Sequence, residues 1–198
     1  MGNDISRTLP VPNQLLTALR AALVFLVLCG LIYTGLATFL GGVLFPHQAT
    51  GSLIQQQGRI VGSSLVAQPF ESPRYFYSRP SAADYDPTGT GGSNLAPSNP
   101  ELRARVAQAS ERIQAQEGVA AEDIPVDLLA ASGAGLDPHV SPAAARLQAP
   151  RVAAARGMGE AQVLALIDQV SEGKQWGLFG QPRVNVLQLN LALDDLAK

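Results

Sequence analysis

Residues 21–45 read AALVFLVLCGLIYTGLATFLGGVLF, and this stretch decides the architecture. It contains no charged residue and no proline. At about 1.5 Å per residue a helix of that length reaches ~37 Å, enough to cross a hydrocarbon core of about 30 Å. A soluble core helix would have to be apolar all round over the same length, which is rare. A cleaved signal peptide has a shorter apolar region, about 7–15 residues, followed by a small-x-small site. No A-x-A pattern follows this run, so we expect an uncleaved anchor.

The charges around the run set its direction. Arg7, Arg20 and the terminal amine precede it, whereas only His47 and Arg59 follow closely. The positive-inside bias then assigns residues 1–20 to the cytoplasm, 21–45 to the membrane and 46–198 to a folded domain outside. Gly30, Thr34, Thr38 and Gly42 recur every fourth residue and form a stripe. Small residues at that spacing let a second helix approach closely, so a partner within the membrane is expected.

The rest suits one ordinary domain. The chain has 198 residues, 46% hydrophobic and only 15% charged, with a net charge of −2. That balance carries no basic footprint for nucleic acid. The single cysteine, Cys29, lies inside the apolar run, which leaves the domain without a disulfide or thiolate metal site.

Local patterns along the domain mix helix and strand. After a polar connector, Ile60-Val61-Gly62 and Leu65-Val66 read as a broken strand, and Tyr75-Phe76-Tyr77 as a second β-prone stretch. Ser81 to Pro100 is rich in Gly, Pro, Asp and Asn, too turn-rich for regular structure. Ser98 with Glu101, or Asn99-Pro100, opens a helix that carries Leu102, Val106, Ala109 and Ile113 at helical spacing and stops at Gly118. Pro125 to Ala130 reads as a short strand or turn, and Ala131 to Ser141 as a glycine-containing loop. Ser141-Pro142 starts a helix to about Arg156; Gly157 and Gly159 break it before another from Glu160 to about Glu172. Val184 to Leu193 alternates through Leu187, Leu189, Leu191 and Leu193, which predicts a strand with a bulge at its start. Without a regular βαβ rhythm the fold class is α+β: one N-terminal transmembrane helix followed by one small mixed domain.

No convincing catalytic constellation is found in the sequence, although the members of a Ser-His-Asp triad can lie far apart along a chain. No phosphate-binding P-loop, H-E-x-x-H pair or G-x-S-x-G elbow occurs. The run Thr88 to Asn94 reads as a backbone nest for an anion or as a flexible surface loop, the loop being favoured. Asp137 and His139 are two ligands where a metal asks for three or four, so a capped turn is the simpler reading. Arg79, Arg151, Arg156 and Arg183 are free to pair with carboxylates or with phosphate.

Several runs, taken in order, resemble one family. They are Tyr75-Phe76 with Arg79-Pro80-Ser81-Ala82, Gly91-Gly92-Ser93-Asn94-Leu95, and Pro97-Ser98-Asn99-Pro100. Ala131-Ser132-Gly133 with Gly135-Leu136-Asp137-Pro138-His139, and Arg151-Val152-Ala153 with Ala155-Arg156, follow. The last is Gln181-Pro182-Arg183-Val184-Asn185-Val186 with Leu189-Asn190-Leu191-Ala192-Leu193. Together they resemble the C subunit (KdpC) of the Kdp potassium-transporting ATPase, from the anchor to the C-terminus. The resemblance implies an accessory, non-catalytic subunit in the bacterial inner membrane. Its partners would be a channel-like A subunit, a P-type ATPase B subunit that carries out hydrolysis, and a small F subunit. It also implies a catalytic chaperone that raises the ATP affinity of the B subunit, with ATP held only transiently between the two and contacted here by Gln148. The charge reading puts Gln148 outside, across the membrane from cytoplasmic ATP. An external domain would instead cap the potassium entrance or brace the A subunit. A membrane-anchored extracytoplasmic enzyme or ligand-binding protein, with Ser81–Pro100 and Ala131–Ser141 lining a pocket, is the alternative.

Overall fold

The computed structural model describes residues 11–196, so half of the expected cytoplasmic segment lies outside the described residues. The chain divides into two compact units, residues 1–51 and 52–198. The first is one continuous helix in three stretches followed by a single turn, Pro46–Ala49. Val11–Phe25 and Thr34–Leu44 are α-helical, and Leu26–Tyr33 between them has the wider π hydrogen-bonding pattern. Its span Asn13–Leu44 is long and apolar enough to cross a membrane. Its described side chains are exposed almost throughout, as an anchor's would be without lipid.

The second unit is mixed α and β. It opens with a hairpin, β1 (Leu53–Gln56) against β2 (Arg59–Ser63), where we read mostly connector. Gln57 and Gly58 link the strands with φ of 51° and 76°. Positive φ at both central residues is the requirement of the tight turn that matches strand twist. Then follow α1 (Pro100–Glu117), α2 (Val126–Leu129), β3 (His139–Val140), α3 (Pro142–Arg156), α4 (Glu160–Val170), β4 (Val184–Asn185) and α5 (Val186–Leu196). β3 and β4 form a two-residue antiparallel ladder. α3 packs on α1 and α4, and α4 on α5. Between them Ala144, Ala145, Ala149, Val152, Val163, Ile167, Leu189 and Leu193 form one core.

Caps explain where the helices begin and end. Asn99 accepts the Glu101 N–H at 2.9 Å and Ser141 accepts the Ala144 N–H at 3.0 Å. Gly118 and Gly157 close α1 and α3 in the left-handed conformation. The stretch Pro125–Ala130 is a helical turn rather than a strand.

The expected strand 184–193 is corrected: only Val184–Asn185 is extended, and α5 follows at once. So many positions here are apolar that a two-residue and a helical repeat both fit. The core is met by Val186, Leu189, Asn190 and Leu193, which is helical spacing, while Leu191 is only partly buried. Asn185 caps the helix by accepting the Gln188 N–H at 3.1 Å.

The two long loops are docked on each other. Ser132 N–H donates to Pro80 O at 3.0 Å, Gly91 N–H to Ala134 O at 3.0 Å, and the Ser81 hydroxyl to Gly135 O at 2.7 Å. A Cβ on Gly92 would lie 2.9 Å from Gly133 O, so the approach admits only glycine. Within Thr88–Asn94, Gly91 and Gly92 therefore belong to a packed seam, while Thr88, Gly89, Thr90 and Asn94 are exposed.

The β-prone stretch Tyr75–Tyr77 is not a strand: Tyr75 ends a turn from Ser72, and Phe76 and Tyr77 follow with no strand beside them. Phe76 is fully buried, and its backbone is bonded by a side-chain amide: Phe76 N–H donates to Asn190 Oδ1 at 2.8 Å, and Asn190 Nδ2 donates to Phe76 O at 3.0 Å. We expect Asn190→Ala to orphan both backbone groups and destabilise the domain by about 2–4 kcal/mol. Thermal unfolding of the full chain in detergent, followed by circular dichroism, should show Tm lowered by roughly 5–15 °C.

Candidate functional site

The residues singled out by sequence fall into three places. The first is the grip on residues 73–77. Gln148, on α3, is 2% exposed and does for Tyr77 what Asn190 does for Phe76. Its Oε1 accepts from Tyr77 N–H at 2.8 Å and from Arg151 Nη2 at 3.0 Å. Its Nε2 donates to Tyr77 O and Ala144 O, both at 3.3 Å. A primary amide has two acceptor sites and two donors, and all four are engaged.

Two arginines complete the grip. Arg151 pairs with Glu117 at 2.8 Å, donates to Pro73 O at 2.7 Å and Tyr75 O at 3.0 Å, and lies 4.2 Å from the centre of the Tyr77 ring. Arg156 pairs with Asp194 at 2.8 Å, donates to Arg74 O at 2.6 Å, and lies 4.8 Å from the centre of the Tyr75 ring. The Tyr75 hydroxyl returns to Asp194 at 3.1 Å. Burial pushes the Glu117 carboxyl above the usual carboxylate range, and its bond to Arg151 only partly offsets this. Both guanidiniums are thus committed to carboxylates and backbone carbonyls.

The second place is a cleft of about 500 Å³ where three of the motifs meet: Arg79, Asp137, His139, Gln181 and Arg183 line it. Arg79 pairs with Asp137 at 2.8 Å, and Arg183 pairs with Glu172 at 2.8 Å. Asp137 Oδ1 accepts the His139 N–H at 3.0 Å, the capped turn expected from their spacing. Burial pushes the Asp137 carboxyl up. Its bonds to the His139 ring and N–H and to Arg79 outweigh that and hold it at about 2. Among the described residues no group of three or more His, Cys, Asp or Glu is gathered as a metal site would require. A further cleft, of about 310 Å³, lies beside the grip and is lined by Tyr77, Ser78, Tyr85, Arg112 and Glu117. Ser78 Oγ and Glu117 Oε2 are buried at its edge without a hydrogen-bond partner among the described residues.

The third place is the anchor face. The Thr34 hydroxyl donates to Cys29 O at 2.8 Å, five residues back, within the π stretch. A four-residue step overshoots an α turn of 3.6 residues but falls short of a π turn, whose bonds close over five. The step from Gly30 to Thr34 therefore rotates one way, and the steps to Thr38 and Gly42 the other. The four small residues stay on one face instead of drifting round the helix. A Cβ on Gly30 would meet only Leu26 Cδ1 at an ordinary 3.5 Å, and one on Gly42 would meet nothing within 4 Å. The chain itself does not need glycine at either position.

Sequence reasoning found the arginines but not Asn190, Glu117 or Asp194 as their companions in the grip. A buried-looking asparagine among leucines at 187–193 was the available signal.

Asp137 gives a pH signature. Its carboxyl ionises more readily in the folded chain than at the ordinary 3.8, so it adds stability above about pH 4 and loses it as pH falls towards 2. Allowing for solvent screening, the contribution is about 1–2 kcal/mol. We expect Asp137→Asn to be less stable than the natural chain by that amount at pH 7. The gap should close between pH 4 and 2 in unfolding curves measured across that range.

Comparison with known proteins places these features in a family. The family model described as KdpC, "K+-transporting ATPase, c chain", matches residues 15–195. A protein of Shewanella putrefaciens named Potassium-transporting ATPase KdpC subunit is 65% identical over 180 residues, covering 91% of this chain and 90% of that protein. Proteins of the same name are 52% identical in Xanthomonas oryzae pv. oryzae, covering 96% of this chain and 92% of that one. In Caldanaerobacter subterraneus the identity is 46%, covering 98% and 95%.

Proposed function

This chain belongs to the KdpC family, the c chains of K+-transporting ATPases, and from that premise we propose that it is a non-catalytic, single-span subunit of such a pump. It works by assembly. The observation that carries this reading is the face of Gly30, Thr34, Thr38 and Gly42, whose two glycines the chain's own packing does not require. In lipid, where apolar surface gains little by burial against another helix, close packing of small residues is a principal source of association. The partners are the channel-like A subunit, the P-type B subunit that hydrolyses ATP, and the F subunit, in the inner membrane. The N-terminus lies in the cytoplasm and the domain outside, where it caps the potassium entrance or braces the A subunit.

The chaperone role follows from the same assembly. By holding the complex together the subunit raises the ATP affinity of the B subunit, with ATP engaged only transiently. Gln148 serves this through the domain's integrity. A direct bond from its amide to ATP would have to displace one of four bonds that hold the Tyr77 backbone, Ala144 O and Arg151. The alternative of an independent enzyme or ligand-binding protein has less support, because Arg79, Arg151, Arg156 and Arg183 all face carboxylates of the same chain.

Two measurements on the whole complex test this. Gly30→Leu with Thr34→Leu should reduce co-purification with the A and B subunits while the domain still unfolds at its normal Tm; undiminished co-purification would remove the anchor face from the interface. Gln148→Ala should lower the domain's Tm, yet leave the KM for ATP unchanged in complexes that still assemble. A raised KM at full assembly would make Gln148 a nucleotide contact. A reporter fused after Lys198 should be active only outside the cytoplasm.

A further inference from the structure

Between α4 and β4 the chain leaves the core as a narrow hairpin. At its base Glu172 and Arg183 exchange both backbone hydrogen bonds, at 2.8 and 3.0 Å, and pair through their side chains. Further out Gln175 and Phe179 exchange bonds at 2.9 and 3.0 Å. At the tip Trp176 is 83% exposed, Leu178 76% and Phe179 59%, with the two rings edge-on at 6.1 Å. Trp176 has a φ of 53°, in the left-handed region that a bulky side chain rarely adopts. The backbone thus holds a strained turn that displays the chain's only tryptophan. Burial within the domain does not offset that strain, so a surface outside it is the place to look.

We propose that this tip is a second, interfacial membrane contact: Trp176, Leu178 and Phe179 dip into the headgroup–acyl boundary of the bilayer that holds the anchor. Three observations favour lipid over a pocket in another protein. First, the tip pairs part of its own backbone: the N–H groups of Gln175, Gly177, Leu178 and Phe179 find carbonyls within residues 174–179, which leaves the Trp176 N–H and the carbonyls of residues 176–178 for the hydrated headgroup layer. Lipid offers an entering backbone no partners of its own, so this self-pairing lowers the cost of entry. Second, residues 173–182 carry a single charge, Lys174, beside Gln175 and Gln181. Tryptophan, with one basic side chain and amides, is the composition that settles at a membrane interface. Third, only residues 45–51 separate the end of the apolar helix from the domain unit. Fully extended they reach at most about 25 Å, so the bilayer is a surface within the domain's reach. The inference rests on the anchor and not on which complex the chain joins.

Because Trp176 is the only tryptophan, its fluorescence reports this tip without a label. The full chain is placed in nanodiscs of phosphatidylcholine and phosphatidylglycerol, where co-elution with the disc reports the anchor separately. We expect blue-shifted emission, quenching by acyl-brominated lipid and protection from aqueous iodide. Leu178→Glu with Phe179→Glu, both exposed and so harmless to folding, should abolish the bromine quenching and admit iodide. Emission that is iodide-accessible and blind to bromine in the natural chain would overturn the proposal. So would bromine quenching that survives the double substitution, since the tether alone would then explain it. A blue shift that arises only when the other ATPase subunits are added would also overturn it and make the tip a protein contact.

Discussion

Two side-chain amides hold an extended segment that no strand supports. A buried peptide group without a partner costs about as much as a lost hydrogen bond, which is why extended chain is normally found in sheets. Here Asn190 of α5 bonds the N–H and C=O of Phe76, and Gln148 of α3 bonds those of Tyr77. Each amide presents one acceptor and one donor side by side, as a neighbouring strand would. Consecutive residues of an extended chain point their backbone groups to opposite sides. One helix on each side can therefore serve them, and Phe76 enters the core between the two.

The charged groups around this grip follow from it. Residues 73–75 approach α3 with carbonyls that have no ladder, and Arg151 and Arg156 supply the donors. Their side chains are 11% and 1% exposed, so each needs a counter-charge. Glu117 comes from the end of α1 and Asp194 from α5. Removing one partner of such a buried pair leaves a charge that neither water nor protein compensates. Stability and the placing of three helices are in this way tied to one short extended segment.

Local signals in the sequence revealed local structure. The uncharged run at 21–45, the proline and serine starts of α1 and α3 and the glycines that end them each act within a few residues, and each was legible. The leucine-rich C-terminus was misread because Leu187, Leu189, Leu191 and Leu193 satisfy a two-residue repeat. The capping pair Asn185 and Gln188, three apart, was the better evidence for a helix there. The grip itself was out of reach. Its amides lie 71 and 114 residues from the backbone they bond, and an asparagine or glutamine carries no mark of its distant partner.

The same reasoning sets apart the two surfaces proposed for contact. Inside the domain many strong polar groups are already spent on the domain: five arginines on carboxylates, two amides on backbone, Asp137 on His139 and Arg79. Beside them stand small and apolar groups that the chain's own packing does not use, namely Gly30 and Gly42 of the anchor and the aromatic hairpin tip. Polar groups that are left over in a folded chain point to chemistry; apolar and small ones point to contact. The small and apolar surfaces are what the proposed reading, a subunit that contributes by contact, draws on.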